Sequence, residues 1–271
     1  MLHAFRYLAP RTRTELLRML GELGSSAKLL AGGTDLLVNI RNGLAAPDYV
    51  IDVKNVEGFA GISYSDREGL IIRASATINE VLESEKIRSD YPLLAVCARD
   101  LASHQIRNRA TVIGNVVNAS PCSDMAPALL CLDAKAVIAS QGGEREVPFR
   151  EFFTGVKKTV LKKDEILERI VVPARAANTR GSYHKLKRIN GHDLGIVGVA
   201  LARKDGVLRL GISSAAPTPV FVGDLKESEP ADAVVAAAMK AIRPISDVRC
   251  TREYREFMVG VFIQRLLTEV R

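Results

Sequence analysis

Two stretches of the chain combine residue types that could do chemistry. The first is Gly32-Gly33-Thr34-Asp35, which lies between an apolar strand-like run and an apolar helix-like run. Free backbone N–H groups and the positive end of a helix dipole would meet there, so a phosphate is a natural occupant. An ordinary strand-to-helix turn also uses paired glycines, and the four residues alone do not separate the two readings. The second stretch is Gln105 to Pro127, QIRNRATVIGNVVNASPCSDMAP. A β-rich run, ATVIGNVV, breaks at Gly114-Asn115, where main chain can come very close to something else. A buried ligand in need of backbone donors would explain that break, and so would a tight turn in a core. Neither G-x-G-x-x-G nor G-x-x-x-x-G-K-[ST] occurs in the chain. A dinucleotide, if bound, is therefore bound outside the schemes those motifs serve.

The remaining chemistry-bearing residues are scattered. Cys97, Cys122, Cys131 and Cys250 form no close metal-binding spacing, nor do His3, His104, His184 and His192. No metal site is expected, and the cysteines read as reduced thiols that fill core. Lys and Arg exceed Asp and Glu by 38 to 31, a net charge of +7, with the bases spread along the chain. That spread points weakly to an anionic ligand, an acidic partner or nucleic acid, and a solvated surface without further meaning is the commonest explanation. Nucleic acid is disfavoured by the absence of Trp and an aromatic content of 5%, since stacking platforms are in short supply. No apolar run reaches the ~20 residues of a membrane span, so a cytoplasmic protein is expected.

The elements that must position these residues follow from pattern. Residues 12–23 predict a helix, with Thr12 and Glu15 at capping-box spacing and Gly24 at its end. Strand 28–31, helix 36–41 and strand 49–53 make a compact βαβ unit around the Gly-Gly-Thr-Asp turn. A hairpin turns at 66–69, and helices are expected over 78–87, from Pro92 to Leu101 and from Met125 to Leu132. Strand 135–139 with its return, then strand 166–172, close this region. A boundary falls near 176–181. Beyond it come antiparallel strands 183–188, 196–203 and 207–214, a loop through Pro217 and Pro219, and helices 231–241 and 251–269.

Five ordered segments carry a resemblance: KLLAGGTDLL at 28–37, RNRATVIGNVVNASPCSD at 107–124, REVPFREFFTG at 145–155, TVLKKDEILERIVVP at 159–173 and DVRCTREYREFMVGV at 247–261. Together they resemble the FAD-binding medium subunit of molybdenum hydroxylases such as carbon monoxide dehydrogenase and bacterial xanthine dehydrogenase. The resemblance implies an α+β fold, with two FAD-binding lobes of the vanillyl-alcohol oxidase and enolpyruvyl reductase type and a C-terminal α+β domain. The lobes would span 1–56 and 57–175, and the third domain 176–271. It implies FAD between the lobes, with the diphosphate held by Lys28, Leu29, Leu30, Ala31, Gly32, Gly33, Thr34 and Asp35, and by Thr111, Val112, Ile113, Gly114 and Asn115. Asp124 would contact the adenosine ribose. Leu101, Leu161 and Lys185 would lie near the flavin ring, where a cation favours the reduced form. Bland roles exist beside these: Asp124 or Ser123 could cap the helix that follows, and Lys185 could be a surface base.

The chain departs from the family at Ile113, where relatives usually carry glycine. A β-branched residue resists positive φ, so this position is expected either to be extended or to reshape the loop. Arg73 likewise replaces a frequent glycine before Ala74. The function implied is an electron-transfer subunit without catalytic residues of its own. Molybdopterin would belong to a large partner subunit and two [2Fe-2S] clusters to a small one, with NAD⁺ among the possible external acceptors. A free-standing flavin oxidoreductase and a scaffold whose FAD site has decayed are the rivals. The organic substrate would be read by a different polypeptide.

Overall fold

The computed structural model describes residues 3–270. It begins with a small parallel sheet in the order β1-β3-β2, built from β1 (Arg6–Leu8), β2 (Ala27–Leu30) and β3 (Tyr49–Asp52). Helix α1 (Arg13–Leu23) buries Leu16, Leu17 and Leu20, spaced to share one face. Thr12 Oγ1 accepts from the Glu15 N–H, as its type predicts, but the Glu15 carboxylate reaches back to the Arg11 N–H and not to Thr12. Helix α2 (Leu36–Arg41) joins β2 to β3. The short, largely exposed β1 is an element that the pattern reading missed.

The second sheet has the order β4-β5-β10-β6-β7. Its members are β4 (Ile62–Ser65), β5 (Gly69–Arg73), β6 (Lys135–Ser140), β7 (Gly143–Pro148) and β10 (Ile166–Val172). Between β5 and β6 run α3 (Ile78–Glu83), α4 (Glu85–Asp90), α5 (Pro92–Arg99), α6 (His104–Arg107), α7 (Val112–Val117) and α8 (Ala126–Cys131). The helix expected over 78–87 is in fact two, because Ser84 turns extended and caps the second through the Ile87 N–H. A small hairpin of β8 (Phe153–Gly155) and β9 (Lys158–Thr159) precedes β10.

The third sheet is an antiparallel meander, β11 (Arg180–Leu186), β12 (Val197–Lys204), β13 (Val207–Ser213) and β14 (Val220–Lys226), with α9 (Ala231–Ala241) and α10 (Arg252–Val270) after it. The fourth strand, β14, replaces what read as loop leading straight to helix. Strand β12 is buried on both faces: Val197, Val199 and Leu201 belong to the core beneath α9 and α10. Ala200 and Ala202, on the opposite face, belong to the core that runs through both N-terminal lobes. Arg255 is 1% exposed, and its guanidinium donates to Ile245, Ile196 and Ser214 carbonyls and to Asp247. A buried charge is tolerable when satisfied this fully.

Candidate functional site

The first loop leaves β2 and turns at Gly32 and Gly33. A Cβ on Gly32 would lie 2.1 Å from the Arg109 carbonyl oxygen, so the two loops meet here main chain to main chain. Gly33 has φ +75° and is hemmed by the Leu30 and Leu37 side chains, a position only glycine fills without strain. Among the described residues, no backbone N–H of Gly32, Gly33, Thr34 or Asp35 donates a hydrogen bond. Buried N–H groups normally find partners, so four undonated groups in series, in half-buried or exposed backbone, form a surface fit to receive an anion. The donors belong to the loop itself, because α2 is only six residues long. Behind the loop, Asp52 accepts from Tyr7 Oη at 2.5 Å and Lys54 Nζ at 2.7 Å, and Lys54 also reaches the Ala31 carbonyl. Burial pushes the Asp52 carboxyl up, but the Lys54 and Tyr7 hydrogen bonds outweigh it and hold the group below its ordinary value.

The second loop differs from the expectation. Val112 to Val117 is helical, with Thr111 as its cap and Thr111 Oγ1 accepting from the Gly114 N–H at 2.9 Å. The run is rich in β-branched residues, yet its buried positions 112, 113 and 116 fall on one helical face. Ile113 is 5% exposed and lies inside α7, outside the positive-φ residues. Ile113 therefore carries no positive-φ strain, and the position is helical and not extended. The Val112 N–H donates to the Ala76 carbonyl and the Asn115 N–H to the Thr111 carbonyl. Asn115 Oδ1 accepts from Ser123 Oγ at 2.6 Å and from the Met125 N–H, which fixes the segment carrying Asp124.

Asp124 and Lys185, assigned from the resemblance to opposite ends of the cofactor, lie together. Lys185 Nζ is 2.8 Å from Asp124 Oδ1, with the lysine side chain 2% exposed. Tyr183 Oη donates to the same carboxylate, and Lys185 also donates to the Asp100 carbonyl, next to Leu101. Burial pushes the Asp124 carboxyl up, against the pull of Lys185. Ser123, and not Asp124, turns its hydroxyl to the Ala126 N–H of α8. Leu101 is positioned by Arg107, whose Nη1 donates to the Leu101 carbonyl at 2.9 Å, just before Ala102 at φ 45°. Leu161 follows the β8–β9 hairpin, braced by Arg145, which donates to the Val160 carbonyl and pairs with Glu165 at 2.7 Å. Lys28, Leu29 and Leu30 belong to β2, Lys28 exposed and Leu29 packed on the core.

Residues absent from the sequence reading complete the arrangement. Asn118 Nδ2 donates to Asp35 Oδ1 at 2.8 Å, across 83 residues, and Asn118 Oδ1 accepts from Lys157 Nζ at 2.8 Å. Tyr183 and Asp100 complete the surroundings of the Asp124–Lys185 pair. A polar residue at the end of a loop helix is the one signal that could have pointed to Asn118.

Residues 3–175 match the family described as the FAD binding domain in molybdopterin dehydrogenase. The chain is 33% identical to the carbon monoxide dehydrogenase medium chain of Hydrogenophaga pseudoflava, over 97% of this chain and 96% of that one. It is 30% identical to a putative xanthine dehydrogenase FAD-binding subunit of Escherichia coli, over 90% and 88%. The fold superposes on a chain of reconstituted CO dehydrogenase from Oligotropha carboxidovorans with a TM-score of 0.92, 27% identity and coverage of 100% and 98%. The chain therefore belongs to the FAD-binding medium subunits of the molybdenum hydroxylase family.

Proposed function

We propose that this chain is the electron-transfer subunit of a multi-subunit molybdenum hydroxylase. It would receive electrons from [2Fe-2S] clusters on a small subunit and release them to an external acceptor such as NAD⁺. A large subunit would hold molybdopterin and oxidise the organic substrate, and the complex would be cytoplasmic. The relatives' names, medium chain and FAD-binding subunit, support a division of labour among chains. FAD, when bound, supplies a redox centre able to join one-electron and two-electron partners.

The observation that carries the reading is the loop Gly32–Asp35, whose undonated N–H groups sit against the second loop at Arg109. These donors suit a diphosphate, and the backbone of Thr111 to Asn115 forms the facing wall. Leu101, Leu161 and the Asp124–Lys185 pair are the proposed surroundings of the remainder of the cofactor. Lobes 1–56 and 57–175 would embrace the cofactor and 176–271 would pack against them. This chain binds and orients, and none of its side chains is assigned a proton-transfer role on the substrate.

The test is purification of the full chain followed by titration with FAD. The expected result is saturable binding of one FAD per chain with flavin absorbance bands, and reduction of that flavin when the large and small subunits are added with substrate. A chain that takes up no flavin overturns the reading. A chain that binds flavin but turns over small alcohols or amines unaided would mark a free-standing oxidoreductase instead.

A further inference from the structure

Asp35 carries the only acidic side chain in the loop that offers its N–H groups to an anion, and it does not use them. Asp and Asn side chains in loops commonly accept from nearby backbone N–H groups. Here Asp35 Oδ1 instead accepts from Asn118 Nδ2, and Asn118 Oδ1 accepts from Lys157 Nζ. The order of this relay is forced. A lysine ammonium can only donate and a carboxylate can only accept, so a single orientation of the Asn118 amide satisfies both neighbours. The backbone at Asn118 and at Lys157 is fixed. Asn118 caps α7 with its N–H on the Gly114 carbonyl. Ala119 follows at φ 45°, and its carbonyl accepts from the N–H of Lys157, itself at φ 58°. Two non-glycine residues held at positive φ against one another mark a place the surrounding structure over-determines.

We infer that Asn118 and Lys157 are positioning residues that hold the Asp35 carboxylate away from the diphosphate-gripping backbone of its own loop, an inference that rests on the diphosphate reading of that loop. Without Lys157 the Asn118 amide is free to turn its oxygen toward Asp35, and like charges then part them. The released carboxylate sets a negative charge beside the phosphates. Lys157 therefore acts on the ligand through two intervening side chains.

The experiment uses the full chain stripped of flavin, titrated with FAD by fluorescence and with ADP by competition. Lys157→Met and Asn118→Ala are each expected to weaken both ligands about tenfold. Adding Asp35→Asn to either is expected to restore affinity to within about twofold of the parent, a rescue that lost packing would not produce. Lys158→Met, a neighbouring exposed lysine, should leave both affinities unchanged. The inference is overturned if Lys157→Met binds like the parent, or if Asp35→Asn fails to restore the weakened variants. Failure of the parent chain itself to bind FAD would instead remove the diphosphate reading, and the inference with it.

Discussion

The first loop meets the chain leading into the second main chain to main chain, at Arg109 and Ala110, yet the two loops spend their backbone donors differently. In Gly32–Asp35 the N–H groups are left undonated, and the one carboxylate that could take them is tied to Asn118. In Thr111–Asn115 the donors of Val112, Gly114 and Asn115 are used within the protein, on the Ala76 carbonyl, Thr111 Oγ1 and the Thr111 carbonyl, and only those of Thr111 and Ile113 are left undonated among the described residues. Two glycine-bearing motifs that look alike on paper thus divide their work. On the proposed diphosphate reading the first would offer all four of its donors, whereas the second spends most of its own on its fold. Substitutions in the first should therefore read out in ligand affinity, and substitutions in the second in stability.

Ile113→Gly is the sharpest way to break that division. It removes a buried side chain from inside α7, so the chain should lose about 3 kcal/mol of stability, measured by denaturant unfolding, with no gain in FAD affinity. A marked gain would mean that Ile113 does impair the site. Gly32→Ala comes next: its Cβ would meet the Arg109 carbonyl oxygen, and prying the loops apart should cost about a hundredfold in FAD affinity. Flavin fluorescence titration measures it, and an affinity near that of the parent would show the contact to be slack. Thr111→Ala removes a helix cap and should cost about 1 kcal/mol in stability, with FAD affinity shifted less than about threefold; a larger loss of affinity would make the second loop a gripping element too.

The smallest effect expected is pH-dependent. Asp52, behind the first loop, has its carboxyl lowered on folding by Lys54 and Tyr7 against the pull of burial. A carboxyl lowered in the folded state adds stability that is fully present above its unfolded value and is lost as pH falls through its folded value. Acidification below about pH 4 should therefore loosen the first loop, seen as flavin release that begins there. In Asp52→Asn the same release curve should be flatter; an unchanged curve would assign the acid response to other carboxylates.

What could be read from residues alone was local or periodic. The stripe of α1, the glycines at 32 and 33 and the buried α8 announce themselves through spacing and turn chemistry. ATVIGNVV did not, because counting β-branched residues outweighed the Thr111 cap and the helical spacing of 112, 113 and 116. Strand β14 was hidden by Pro217 and Pro219 just before it. The Asp124–Lys185 pair and the Asn118 relay join residues far apart in sequence, and no pattern in one chain encodes such meetings. The family resemblance supplied Asp124, Lys185 and Asp35, and the fold alone brings Asn118 and Lys157 to them.

Strand β12 has one further consequence, for anyone who would cut this protein. Its Val and Leu face one core and its alanines another. The neighbouring Gly211 is pressed so closely on α8 that a Cβ there would lie 2.2 Å from the Pro127 carbonyl oxygen. A fragment ending at residue 175 would match the family segment and look like a sensible expression unit. It would also bare the side of α8 that β12, β13 and β14 cover, on a helix whose every residue, from Ala126 to Cys131, is buried in the full chain. Such a fragment should be sticky and short-lived in a cell, whereas the full chain keeps that seam closed.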